Sequence, residues 1–396
     1  MAVLSKLLEK IDYECVCGTL EREVADVIYD SRKVVQDCMF VCIPGARIDG
    51  HVYAKDAVRA GATTLLVEKE TKLPEDADVT VIRVKDTHYA MAFISAAYFG
   101  YPAEKMQIIG ITGTKGKTTT TYLVKSILEQ AGRHVGLIGT IETIIGETHI
   151  HAENTTPQSY LIQKYFRQMA DAGLDTVVME VSSQGLMLHR TQGFIFDFGI
   201  FMNLEPDHIG ENEHKDFEDY MRCKGLLFQQ CRIGIVNHDD EHWEEVTKGC
   251  SCKLETYGID TQADLRAENI EFLSGSGRLG MRFAVKGLMD FQVETASPGK
   301  FNVYNALTAI AICRHFGVQE ENIRSALLAA KVKGRTEMVK VSDDFTLMID
   351  YAHNAMALKS LLTTMRAYHP HRLVCLFGCG GNRAKSRRYE MGEVSG

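Results

Sequence analysis

The sequence predicts an α/β protein of three domains whose centre is a mostly parallel sheet of the phosphate-loop type. Three observations predict it. Short apolar runs alternate with helical patterns along most of the chain, the pattern of strands joined by crossover helices. The glycine-rich run Gly113-Thr114-Lys115-Gly116-Lys117-Thr118 lies between one such strand and a helix start. Composition breaks twice, at Phe99-Gly100-Tyr101-Pro102 and around Lys331 to Arg335.

A chain of 396 residues exceeds what one hydrophobic core usually supports, so several domains are expected. The breaks divide it into 1–103, 104–332 and 333–396. With 45% apolar and 24% charged residues the balance is that of an ordinary globular protein. Lys plus Arg total 44 against 52 for Asp plus Glu, without a basic run, so no nucleic acid or acidic membrane is expected as a partner. The 11 cysteines lack zinc-knuckle or CxxC spacing and read as reduced, mostly buried thiols. No apolar run reaches the roughly 20 residues of a membrane helix. The start, MAVLSKLLEKIDYE, is not a signal peptide, so a cytoplasmic protein is expected, as the free thiols fit; a monomer is expected as well.

In the first domain the β-rich runs VADVIYD, MFVCIPG, TTLLVEK and VTVIRV alternate with helical patterns around Ala54 to Ala60 and Tyr89 to Tyr98. The second opens with the strand MQIIGIT, passes through a helix from Lys117 to Ala131 closed by Gly132, and returns as the strand HVGLIGT. Strand, crossover helix and parallel strand begin a doubly wound sheet, which TVVMEV, FDFGIFMN and RIGIVN extend. The third domain offers FTLMIDYA, a helical stretch and the strand RLVCLFGCGG. Two strands cannot make a parallel sheet covered on both faces, so an incomplete, truncated Rossmann-like domain is expected.

The loop at Gly113 to Thr118 is placed for phosphate, because backbone N–H groups and the helix dipole favour an anion there. Lys117 is suited to the outer phosphates of a nucleoside triphosphate and the Thr118 hydroxyl to Mg²⁺. The loop is shorter than the GxxxxGK[ST] form, since position 111 is Ile. A glycine turn that merely caps a helix is the alternative.

Glu180 ends the strand TVVMEV, where doubly wound sheets place ligand groups, and reads as a metal ligand or an exposed strand end. His208, in Asn203-Leu204-Glu205-Pro206-Asp207-His208, follows another buried strand and reads as a ligand or a structural histidine. Lys224 lies in YMRCKGLLF beside the apolar residues Met221, Leu227 and Phe228. Spacing alone makes it a solvated or snorkelling side chain.

GTKGKTTTT, ENTTPQS, MEVSSQGL, NLEPDHIG, the lysine of YMRCKGLL, FNVYNAL, VKGRTEM and DYAH occur in this order along the chain. Together they resemble the Mur ligases, and within them the branch that adds the third amino acid of the peptidoglycan stem peptide. The resemblance implies an ATP- and Mg²⁺-dependent amide ligase. It would activate the D-Glu of UDP-MurNAc-L-Ala-D-Glu as an acyl phosphate and join it to a free diamino acid, meso-diaminopimelate or L-lysine. Domain 1–103 would then bind the UDP-MurNAc group, 104–332 the nucleotide, and 333–396 the amino acid.

Carried over by residue, the resemblance gives Gly113 to Thr119, Asn302, Arg335, Asp350 and His353 to ATP. Lys117, Glu180, His208 and Lys224 would be catalytic, with Thr118, Glu180, His208 and Lys224 at the metals. Lys224 would carry a CO₂-derived carbamate as N6-carboxylysine, which explains a lysine facing magnesium. Ser31, Thr155, Thr156, Ser182 and Arg190 would contact the muramyl substrate, and Arg383 the incoming amino acid's carboxylate. The sequence departs from the family at Leu188, where relatives have Gln, and at Asn354-Ala355-Met356, where Thr-Pro-Asp is usual. The chain ends before the amino-acid specificity motif, DNPR in the diaminopimelate enzymes. Two alternatives stand: a related folylpolyglutamate or cyanophycin synthetase, and a nucleotide-binding protein without catalysis. The TTP, DSRKV and IPGARIDGH segments favour the muramyl enzyme.

Overall fold

The computed structural model describes residues 1–45, 48–210, 213–275, 278–342, 344–380 and 386–396. Arg383, and Ala46 and Arg47 of the IPGARIDGH segment, lie outside the described residues.

The four β-rich runs of the first domain form the strands Val27–Ile28, Met39–Val41, Thr64–Val67 and Thr80–Arg83, all parallel, with Glu14–Cys17 antiparallel on the far edge. The helices Ala54–Arg59 and Thr87–Tyr98 take the two helical patterns.

The central sheet holds six parallel strand pairs, flanked by two antiparallel pairs at each end. Its middle strands are Val135–Ile138, Thr176–Glu180, Gln107–Thr112, Phe196–Phe201 and Cys231–Asn237, in that spatial order. Successive side chains point to opposite faces, and both faces are covered. Ile109, Ile111 and Val178 pack under the helices Lys117–Gln130 and Lys300–Cys313, while Ile108, Val177 and Met179 pack against Ser159–Asp171 and Phe217–Gly225. Gly110 has no room for a side chain, since a Cβ there would lie 2.6 Å from the Phe196 ring.

Register decides which residues reach the sheet's C-terminal edge. Glu180 pairs with Ile111, two residues before Gly113, and Phe201 pairs with Thr112. The strand ends thus deliver Glu180 on one side of the loop and Asn203 on the other.

In the third domain Leu347–Ile349 pairs antiparallel with Glu337–Val339, and the expected helix is Ala355–Arg366. The expected strand RLVCLFGCGG does not form among the described residues: 371–380 are coil, with Leu376 98% exposed. An apolar run that pairs with no strand cannot satisfy its backbone as one, which is the physical reason for the difference. Asn354, a departure from the family pattern, caps the helix by accepting from the Ala357 N–H at 2.8 Å.

All 11 cysteines are free; only Cys38, Cys42, Cys223 and Cys313 are buried, fewer than expected. Among the described residues no helix is long and apolar enough to cross a membrane.

Candidate active site

The loop leaves the strand Gln107–Thr112 and enters the helix Lys117–Gln130 through Gly116, whose φ is +85°. A Cβ at Gly116 would lie 2.4 Å from Asn305 Oδ1, so both the backbone angle and the space demand glycine. Gly116 offers no capping side chain, which leaves the helix's first N–H groups for a ligand.

Asn203 fixes the loop from the side. Its Oδ1 accepts from the N–H groups of Thr114 at 3.0 Å and Lys115 at 2.8 Å, and its Nδ2 donates to the Lys115 carbonyl at 3.1 Å. Thr114 Oγ1 accepts from the Glu205 N–H at 3.0 Å and touches Tyr220 OH at 3.1 Å. Lys115 Nζ pairs with Glu205 at 2.5 Å. None of Asn203, Asn305 and Tyr220 was read as functional from the sequence, although Asn203 opens NLEPDHIG and Asn305 stands three residues after Asn302.

Two lysines converge on one oxygen. Lys117 Nζ donates to the Gly113 carbonyl at 2.8 Å and Lys224 Nζ to the same oxygen at 3.0 Å. Lys224 is 2% exposed and makes no salt bridge among the described residues; its other neighbour is the Tyr220 ring, 4.5 Å from Nζ to the centroid. It is not the solvated side chain that its spacing suggested. Burial, reinforced by the charge of Lys117, pushes the Lys224 amine well below the usual lysine range. Burial also lowers Lys117, and Glu180 and Asp207 oppose that shift.

Glu180 is 1% exposed, and a buried carboxylate needs donors. It accepts from Thr118 Oγ1 at 3.0 Å, the Thr140 N–H at 2.8 Å and Thr140 Oγ1 at 3.0 Å. The exposed-strand-end reading is thereby excluded. Thr140 Oγ1 also meets Thr155 Oγ1 at 3.0 Å. Behind Thr155, Thr156 Oγ1 donates to the Glu180 carbonyl at 3.0 Å and accepts from the Ser182 N–H at 2.9 Å. Arg190 donates to the Thr156 carbonyl at 2.9 Å. Ser182 caps the helix Ser183–Met187, and Leu188 follows that helix without a polar contact to the site.

Ligand pockets run from about 300 to 1,000 Å³, and a cavity of ≈ 650 Å³ opens above the loop. Thr114 to Thr119 line its floor, with Thr155 and Glu180 on one side and His208 on another. Asn302, Arg335, Asp350 and His353 form the wall toward the third domain. Gly113 and Lys224 lie beneath the floor, while Thr156, Ser182, Arg190 and Ser31 do not line it. Ser31 sits in the first domain's turn Ser31–Lys33.

The wall residues have partners of their own. Asn302, 2% exposed, donates to the Pro298 carbonyl at 2.8 Å and accepts from Asn305 Nδ2 at 2.9 Å. Arg335 lies over the Tyr351 ring, 4.3 Å from the centroid. Asp350 accepts from the N–H groups of Thr336 and Ala352, each at 2.8 Å, so it braces the strand ends around Arg335. His353 Nδ1 meets the Tyr351 carbonyl at 3.1 Å. His208 faces the cavity with its ring exposed, φ +53° and Nδ1 3.0 Å from Glu213.

The Mur ligase middle domain matches residues 111–313, the Mur ligase family catalytic domain 23–99, and the Mur ligase glutamate ligase domain 334–396. Over 99% of its length the chain is 39% identical to a UDP-N-acetylmuramoyl-L-alanyl-D-glutamate--2,6-diaminopimelate ligase of Clostridium perfringens, covering 81% of that protein. A Clostridium acetobutylicum enzyme of the same name is 41% identical, with 80% of it covered. Among solved structures, one of such a diaminopimelate ligase superposes with a TM-score of 0.79 at 24% identity, covering 100% of this chain and 80% of that one. The MurF ligase of Thermotoga maritima in complex with ADP gives 0.59 at 18%, covering 86% and 74%. These two likenesses speak to the fold.

Proposed function

The chain belongs to the Mur ligase family, and from that premise we propose that it joins 2,6-diaminopimelate to the D-glutamate of UDP-N-acetylmuramoyl-L-alanyl-D-glutamate at the expense of ATP. It is an ATP-dependent ligase of peptidoglycan precursor synthesis. The observation that carries the reading at the level of residues is the convergence of Lys117, Thr118, Glu180 and Lys224 on one phosphate loop.

The reaction requires a carboxylate oxygen of D-Glu to attack the γ-phosphorus, releasing ADP and leaving an acyl phosphate. The amine of the diamino acid then adds to the acyl carbon, and the tetrahedral intermediate expels phosphate. The first step brings two anions together, so the groups that hold them must be cationic or strong donors. The free N–H groups at the start of the helix Lys117–Gln130 and the ammonium of Lys117 face the phosphates from below. Arg335, placed over the Tyr351 ring and flanked by the Asp350 brace, approaches from the third domain. Asn302 and Asn305 are set for the base at the far end of the cavity.

The donors at the inner lip fit Mg²⁺: a carboxylate and a hydroxyl, both oxygen, share one point at Thr118 and Glu180. Bound there, the ion supplies charge neutralisation for the transferring phosphoryl group. His208 lines the same cavity and stands as a further ligand. Lys224 is suited to carbamylation because burial, reinforced by the charge of Lys117, pushes its amine well below the usual lysine range. That nitrogen attacks the carbon of CO₂ and gives one of its protons to water, and the carboxylate of the resulting carbamate would be an anionic oxygen donor beside the loop, where an ammonium would repel Lys117.

Phosphate release is the test, measured with UDP-MurNAc-L-Ala-D-Glu and either meso-diaminopimelate or L-lysine. Release with diaminopimelate at a rate well above that with lysine is expected. ATP binding without release in either mixture would overturn the proposal.

A further inference from the structure

Outside the cavity, one buried polar chain ties the walls of the site together. His214 is 1% exposed, and its Nδ1 lies 3.2 Å from Asp219 Oδ2 while its Nε2 lies 2.8 Å from Ser183 Oγ. A carboxylate only accepts, so in the neutral ring Nδ1 carries the proton and Nε2 accepts from the Ser183 hydroxyl. The order is that of a hydrolytic triad, but Ser183 is 3% exposed and does not line the cavity. No substrate reaches its hydroxyl, and a nucleophilic role is excluded on access.

Donor atoms of His214, Asp219 and Cys223 lie within 4.8 Å of one another, which suggests a metal. A cation is already there: Arg222 Nη2 donates to Asp219 Oδ1 at 2.7 Å and touches Cys223 Sγ at 3.4 Å. The group is therefore a hydrogen-bonded clamp.

What the clamp joins gives it a role. Asp219 lies on the helix Phe217–Gly225, which also carries Tyr220 and Lys224. The helix touches the phosphate loop through Tyr220 OH on Thr114 and Lys224 Nζ on Gly113. Ser183 stands three residues beyond Glu180, at the start of the next helix. His214 closes the third side: its N–H donates to the His208 carbonyl at 3.0 Å, and its ring packs on Tyr220 at 5.2 Å between centroids. One residue thus joins three segments: the backbone N–H of His214 holds the segment of His208, and its imidazole holds the helix of Lys224 and the chain leaving Glu180.

We infer that Ser183, His214 and Asp219 are positioning residues of the ligase reaction, holding Lys224 and His208 in register with Glu180. The inference rests on the function proposed above. Partners one step removed from metal-binding groups typically cost about 10- to 100-fold in activity or metal affinity when lost. Ser183→Ala and His214→Gln are therefore expected to lower kcat by about 10- to 100-fold, with the KM for ATP within about twofold. They are also expected to diminish the Lys224 carbamate signal seen by NMR after equilibration with isotopically labelled bicarbonate. Ser183→Thr, which keeps the hydroxyl, restores both. A purely stabilising role would lower the melting temperature and leave kcat and the carbamate signal of the folded variants unchanged, which overturns the inference. Inactivity of the wild-type chain in the same assay overturns the ligase reading and this role with it; an active wild type beside an equally active Ser183→Ala overturns this role alone.

Discussion

Lys117 and Lys224 donate to the same carbonyl oxygen, that of Gly113, from 2.8 and 3.0 Å. Two ammonium groups sharing one neutral acceptor repel each other, and only Lys117 has an opening to the cavity. The arrangement favours the uncharged form of the deeper lysine, Lys224, the form able to take up CO₂.

That relationship makes stability depend on pH. The folded value of Lys224 is depressed below the usual 10.5, so between the two values the unfolded chain binds the extra proton. Without bicarbonate, stability is expected to rise with pH across that window, with the penalty complete below it. Lys224→Met, which keeps the volume and removes the amine, is expected to flatten this slope and to raise the melting temperature near neutral pH, while turnover falls by more than about 100-fold. Thermal unfolding across the window checks the first part; a slope equal to wild type contradicts it.

Glu180 is the second charged anchor. Glu180→Gln keeps the shape, but places an amide N–H₂ against Thr118 or Thr140, which already donate to that position. Activity is expected to fall at least about 100-fold, the upper end of what the outer partners of a metal cost. The Mg²⁺ concentration for half-maximal rate should rise in the same titration. An unchanged Mg²⁺ dependence would remove Glu180 from the metal site.

Much of this was legible in the sequence, because the strongest signals are geometric. GTKGKT between a strand and a helix needs only local chemistry, and a glutamate closing an apolar strand falls on the ligand edge of any doubly wound sheet. Lys224 was not legible from spacing, since its burial comes from the helix Phe217–Gly225 docking under a loop more than a hundred residues away in sequence. Asn203, Asn305 and Thr140 escaped for the same reason: each acts on the backbone or side chain of another segment, and nothing local distinguishes them from ordinary polar residues. The strand expected at RLVCLFGCGG failed in the opposite sense. Its local pattern is right, but among the described residues it pairs with no strand.

Asn203 offers a test of how far the loop depends on its neighbour. Asn203→Ala removes the acceptor of two loop N–H groups and one donor. Unpartnered buried groups cost about 1–3 kcal/mol, so the KM for ATP is expected to rise by roughly tenfold while the KM for the muramyl substrate stays within about twofold. Steady-state kinetics with each substrate varied in turn decides it. Equal increases in both would mean that Asn203 supports the whole cleft and not the loop.

Arg335 tests the contribution of the third domain. Its guanidinium carbon lies over Tyr351, 4.3 Å from the ring centroid, a contact lysine cannot copy in full, because an ammonium lacks the planar, stacking face. Arg335→Lys keeps the charge and loses the stack, so ATP binding should survive. If Arg335 acts mainly when the phosphoryl group is in transfer, kcat should fall by about 10-fold or more with a nearly unchanged KM for ATP. The complementary change, Tyr351→Leu, removes the ring under an intact guanidinium and should reproduce most of that loss. The two effects should not add in the double variant, because each removes the same contact. Full additivity would separate Arg335 from Tyr351 and return the arginine to simple charge attraction.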